Sequence, residues 1–155
     1  MPAFAGTGGP ATAAQFNFPE RLATDAVGAL SICDVLNFRI RQGKPITGIV
    51  TTIAGDGNAV SAGDGGLAIN ASFGDLTGIA ADNVGNLFAV DSPTGSSRSV
   101  RRIEALTGII TTIAGGGTNT PGNGLATNMN FTDIRALAAD GAGELFIATP
   151  YRVFN

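Results

Sequence analysis

A chain of 155 residues with 44% hydrophobic content can bury a core, which excludes global disorder. Only 14% of residues are charged and the formal net charge is −3, so there is no basic footprint for nucleic acid. No apolar run reaches the roughly 18 residues of a spanning helix, and the opening MPAFAGTGG has neither the basic nor the apolar region of a signal peptide.

In chain order, GTGGPATAAQF ends at Phe16, GDGGLAINASF at Phe73 and NGLATNMNF at Phe131. Each leads into a similar segment, so Asp25, Asp82 and Asp140 coincide, as do Gly28, Gly85 and Gly143. Thr47–Gly57 (TGIVTTIAGDG) returns as Thr107–Gly117 (TGIITTIAGGG). A period near 60 residues signals a propeller or solenoid array. The first strands are expected at Arg21–Asp25, Gly78–Asp82 and Ala136–Asp140. A D-x-x-G turn follows each, with Asp capping and Gly supplying positive φ.

Second strands are expected at Leu30–Asp34, Leu87–Asp91 and Leu145–Thr149, where Asp34 and Asp91 would order the next turn by an Asx-type bond. Third strands are expected at Arg39–Gln42, Val100–Glu104 and Tyr151–Phe154, and fourth strands at Ile49–Ala54 and Ile109–Ala114. Four short strands without helical periodicity make one propeller blade. The expected fold is all-β, with antiparallel four-stranded blades at about 17–57, 74–117 and 132–155, the last incomplete. The glycine-rich connection Gly55–Leu76 would cross between blades. It is one candidate recognition surface, and the insertion Ser92–Ser99, with Ser92, Thr94 and Arg98, is the other.

Gly78–Asp91 and Thr107–Gly117, with Gly8–Ala14 and Arg39–Arg41, resemble the NHL-repeat β-propellers, in particular the bacterial type with GDGGPAT linkers. The resemblance implies a ring of about six blades, against three here. It departs at Ser31-Ile32-Cys33, at Gly43 and at Thr149, which replaces the aspartate of the other copies. Three blades leave two apolar faces open, since stability in such arrays comes from interfaces between units. Further sequence, a closed homo-oligomer or a filament would cover them.

The chain has no histidine, which removes the commonest acid–base catalyst and metal ligand. Asp56 and Asp64, each in a GDG turn, are weak calcium candidates. Asp64 corresponds to Thr7 in the first copy and to Asn123 in the third, and Asp-Gly turns explain the pattern without a metal. The GTGG and GGG stretches are not followed by the Lys-Ser/Thr of a phosphate loop. Arg39, Arg41, Arg98, Arg101 and Arg102 cluster, but without tryptophan and with one tyrosine they offer no stacking platform for RNA. They read instead as packing along blade surfaces or pairing with Glu104. Cys33 reads as a small buried hydrophobe. Asn70 and Asn130 head N-x-S/T sequons in linkers, so glycan attachment is an expectation to test.

These readings lead to a non-catalytic interaction or structural module at the cell surface or outside the cell. It would bind other proteins or assemble with itself, two chains supplying six blades, with no cofactor, nucleic acid or membrane span. The alternative is part of a propeller enzyme, with Asp64 and Asp91 sharing a metal at the ring mouth, completed by another chain or further sequence.

Overall fold

The computed structural model describes residues 5–95, 97–122 and 124–155. It contains three antiparallel sheets. The first holds β2 (Pro19–Thr24), β3 (Leu30–Asp34), β4 (Arg39–Lys44) and β5 (Ile49–Ala54), with β1 (Gly9–Pro10) added outside β5. The second runs β6 (Asp75–Ala81), β7 (Leu87–Ser92), β8 (Ser99–Ile103), β9 (Ile110–Gly115). The third runs β10 (Ala136–Ala139), β11 (Leu145–Ala148), β12 (Val153–Phe154). The architecture is that of partial propeller blades, and the expected strands are present within a few residues. No helix among the described residues is long and apolar enough to cross a membrane.

The D-x-x-G turns close the first hairpin of each sheet as their chemistry dictates. Asp25 Oδ1 accepts the Val27 and Ala29 N–H groups at 3.1 and 2.8 Å. Asp82 Oδ1 accepts those of Val84 and Asn86, and Asp140 Oδ1 those of Ala142 and Glu144. Gly28, Gly85 and Gly143 sit at φ of 80°, 89° and 87°, where a Cβ is strained.

Strand alternation then sorts side chains to two faces. From β7, Leu87 and Ala89 point into a core shared with the first sheet, beside Cys33, Ile40, Phe73 and Ile79. Phe88 and Val90 point the other way, into a core with Phe131, Ile134 and Ile147 of the third unit. The middle sheet is therefore covered on both faces. Burial of Cys33 pushes its thiol up to about 12, so it is inert as a nucleophile.

Bulges recur in register. The β4–β5 pairing slips between Ile40 and Arg41, and β8–β9 slips between Val100 and Arg101. Such slips re-aim the side chain that follows, and here that residue is an arginine in both sheets.

The linkers do more than cross between blades. Gly8 and Ala11 N–H groups donate to the Val50 and Gly48 carbonyls, both at 2.7 Å, holding the first linker along β5. In the second sheet Gly65 donates to Ile110, Ala68 to Gly108, and Ile110 back to Gly66, at 2.8 to 3.0 Å. These two linkers therefore cover the edge strand of the blade that follows each, which is otherwise a template for unwanted pairing. Ala68, Ala71, Ser72, Phe73 and Leu76 are buried, while Leu67, Ile69, Asn70 and Asp75 stay exposed, so the second half of the Gly55–Leu76 segment is part core and part exposed surface.

Candidate functional site

Arg41 and Arg101, read from the sequence as lying along blade surfaces, are among the most deeply buried side chains. Burying a guanidinium requires a partner for its charge and its fork of donors. Arg101 meets that need in full. Its Nη1 donates to Asp91 Oδ2 at 3.2 Å and to the Ser72 carbonyl at 2.8 Å. Its Nη2 donates to the Ala62 carbonyl at 2.8 Å and to Asp64 Oδ1 at 2.7 Å, while Nε reaches the same oxygen at 3.0 Å. The guanidinium carbon lies 5.1 Å from the centre of the Phe73 ring, within cation–π range.

The first sheet repeats the arrangement. Arg41 Nη1 lies 3.5 Å from Asp34 Oδ2, and its nitrogens donate to the Gln15 and Ala5 carbonyls at 3.2 and 3.3 Å. Phe16 stands under it at 5.1 Å. Thr7 occupies the place of Asp64 and its hydroxyl bonds that of Thr52 at 3.0 Å. Both arginines thus hold the linker against the end of the blade.

The aspartates are part of the same clamp. Instead of ordering the next turn alone, Asp34 accepts the Asn17 N–H at 2.6 Å from before β2, together with Asn37 Nδ2 at 2.9 Å. Asp91 accepts the Gly74 N–H at 2.8 Å and the Ser61 hydroxyl at 2.7 Å. Desolvation pushes its carboxyl above the usual carboxylate range, outweighing the bonds from Ser61, Gly74 and Arg101. Asp64 goes the other way. Its partial burial alone would raise it, but bonds from Thr112 and Arg101 together bring it below the usual range.

Asp64 and Asp91, the pair expected to share a metal in the alternative reading, do come together. The cation between them is the Arg101 guanidinium. Asp56 bonds Asn58 and the Ser72 hydroxyl instead, and the Asn58 N–H lowers its carboxyl. Among the described residues no three His, Cys, Asp or Glu side chains are grouped to hold a metal.

In the insertion, Ser92 bonds Thr77, and Thr94 is exposed. Arg98 is a tie to the third unit, 2.8 Å from Asp133 and donating to the Ile134 carbonyl at 3.1 Å. Arg102 pairs with Glu104 at 3.6 Å, and Arg39 bonds the Asn37 and Asp56 carbonyls. Asn70 is exposed and Asn130 half-buried. Ser96 and Asn123 lie outside the described residues.

The third unit departs from the clamp. The 3₁₀ turns Ala68–Asn70 and Ala126–Asn128 fix the offset at 58 residues, which puts Gly122, not Asn123, at the place of Asp64. By the same offset Thr149 takes the place of Asp91. Phe154, facing Ile147 as Arg101 faces Ala89, takes that of the arginine. Phe154 meets Phe131 edge-on with centroids 5.5 Å apart, where Arg101 lies over Phe73. Carboxylate and guanidinium have been exchanged together for a hydroxyl and a ring. Beside them opens a cleft of about 470 Å³, lined by Thr120, Pro121, Asn130, Phe131, Thr149 and Phe154 among others. The Thr149 replacement shows in the sequence, but the place of Phe154 and the cleft are not visible without the register.

No family model and no curated sequence matches the chain. Solved structures do. A protein of unknown function from Bacteroides thetaiotaomicron VPI-5482 matches with a TM-score of 0.64 and 24% identity, over 78% of this chain and 30% of that one. A candidate oxidoreductase (glucose dehydrogenase) from Thermus thermophilus matches with a TM-score of 0.52 and 18% identity, over 92% of this chain and 38% of that one. At these identities the likeness concerns the fold, and this chain spans about a third of either protein.

Proposed function

We propose that this chain is an NHL-type propeller segment acting as a non-catalytic interaction module at the cell surface or outside the cell, and that it assembles with copies of itself through its open blade faces. One comparison carries the reading. Leu22 and Ile79 hold the same place on the same face of successive sheets, and they are 61% and 9% exposed. Among the described residues a neighbouring blade packs on Ile79 and none packs on Leu22. The opposite face repeats it, since Ala80 is buried while its counterpart Ala138 is exposed.

The two interfaces within the chain indicate what fits each face. One is always formed by the set that includes Cys33 or Val90 meeting the set that includes Phe73 or Phe131. The open face of the third unit belongs to the first set and that of the first unit to the second, so copies can stack head to tail. The charged groups nearest a catalytic arrangement, Asp64, Asp91 and Arg101, are engaged with one another and with the linker, which favours a structural role.

Light scattering of residues 1–155 over a concentration series tests this. Mass that grows with concentration, and falls back in Leu22→Asp, supports it. A monomer at every concentration overturns it.

A further inference from the structure

We infer that the turn tips along one rim of the molecule form a docking surface for a phospholipid bilayer, entered by aliphatic side chains and not drawn by charge. The middle unit carries the argument. Both of its faces are covered, so the exposure of its turn tips owes nothing to an open blade face.

Antiparallel order places the β2–β3 and β4–β5 turns at one end of the first sheet, and the β6–β7 and β8–β9 turns at one end of the second. A Cβ on Gly28 would stand 3.7 Å from Pro45 Cγ. One on Gly85 would stand 3.5 Å from Ala105 Cβ and 4.0 Å from Asp25 Oδ2, so the four turns form one continuous rim. At their tips are Val27 and Ile46 in the first unit, and Val84 and Leu106 at the equivalent places in the second. They are 79%, 97%, 75% and 93% exposed, although turn chemistry favours polar residues there. Scattered exposed apolar residues are ordinary, but these recur in register on one rim.

Shape and charge choose the occupant. Side chains this exposed project outward, so a protein partner would have to offer a fitted pocket for each, whereas a bilayer interface yields around them. Backbone donors beneath the tips are turned inward. The Val27 and Val84 N–H groups donate to Asp25 and Asp82 Oδ1, and those of Gly48 and Gly108 to the Lys44 and Glu104 carbonyls, both at 2.8 Å. The turns can therefore approach hydrocarbon without stranding these groups. Their charges are mixed. Asp25, Asp82 and Glu104 stand with Lys44 and Arg102 on or beside the turns, and Glu104 is held by Arg102 and the Thr107 hydroxyl. Attraction to anionic headgroups needs a basic excess, so the rim fits a zwitterionic surface.

The test is flotation of residues 1–155 with phosphatidylcholine vesicles, alone and with phosphatidylserine added, at low and high salt. Binding to the zwitterionic vesicles is expected, no stronger with phosphatidylserine and not weakened by salt. Ile46→Asn made together with Leu106→Asn should weaken it at least about tenfold, with Tm unchanged because both side chains are exposed. Tyr151→Ser, at a side chain 94% exposed between β11 and β12 on the opposite rim, should bind as the parent does. Absence of binding to zwitterionic vesicles, binding that requires phosphatidylserine, or a double variant that binds as tightly as the parent would each overturn the inference. Self-association lost in the double variant, without vesicle binding by the parent, would overturn it in favour of a contact between copies.

Discussion

The third unit suggests how to test the clamp in the second. Replacing Arg101 by Phe removes the guanidinium that neutralises Asp91, whose side chain is fully buried, and strips the donor from the Ser72 and Ala62 carbonyls. Breaking a buried pair from one side costs about 3–5 kcal/mol. The bond to Asp64 adds little to that sum, because that carboxylate is 44% exposed and is rehydrated when freed. Asp91→Thr alone should cost about 2–3 kcal/mol. Arg101 keeps Asp64 and both carbonyls, while Ser61 and Gly74 lose a charged acceptor.

Made together, the two changes install the residue types that Thr149 and Phe154 supply at the corresponding positions of the third unit. An apolar replacement for a buried ion pair is often close to neutral, so the double variant should lose only about 2–3 kcal/mol. The coupling is then about 4 kcal/mol, or roughly 8–16 °C in Tm at 2–4 °C per kcal/mol for a chain of this size. Urea and thermal unfolding of the four proteins at pH 7 supply the cycle. Losses that add to within about 0.5 kcal/mol would refute the claim that these side chains act as one unit.

Two further outcomes are expected. Because Asp64 is held below its ordinary value of 3.8, its contribution is complete above that pH and is lost as pH falls through the lowered folded value. Asp91, held above 3.8, has the opposite sign, so its contribution favours folding in acid and fades as pH rises through its folded value. Asp64→Asn should therefore flatten the acid limb of Tm between pH 6 and about 2, and an unchanged limb would contradict the assignment. Gly115→Ala places a Cβ at φ 77° against the Arg98 carbonyl and 2.9 Å from Ser99 Cα, and should cost at least about 2 kcal/mol in urea unfolding. Gly95, at φ 76° with open space around it, should lose only about 1 kcal/mol on the same change. Equal costs would mean the overlap is relieved by backbone movement.

Local chemistry made part of this molecule legible from its residues. The D-x-x-G turns, β3 and β5 can be placed from their own neighbours, because the bonds that set them lie within a few residues. The clamp could not. Arg101 finds Asp64 across 37 residues, and only the docking of the linker on β9 brings them together. A sequence reader sees Asp-Gly and infers a turn, and sees Arg-x-Arg on a strand and infers alternation into solvent. The bulges at Ile40/Arg41 and Val100/Arg101 accompany the turning of those arginines inward, and no residue type announces them. The exchange at Thr149 and Phe154 is half legible: Thr149 visibly stands where the other copies carry aspartate, but only pairing register reveals that Phe154 answers Arg101.

The staple between linker and blade has a consequence for how such a chain can be cut or lengthened. The unit that holds together is the linker with the sheet that follows it, for example Ala62 through Gly115, and its seam falls between Asp56 and Ser61 instead of at Phe73. A recombination junction placed just before β6 would deliver a blade whose arginine arrives without its carbonyl partners, into a host whose linker has no arginine to meet it. A junction within the seam carries the whole lock with its key, so copies can be gained or lost without leaving a buried charge unmatched.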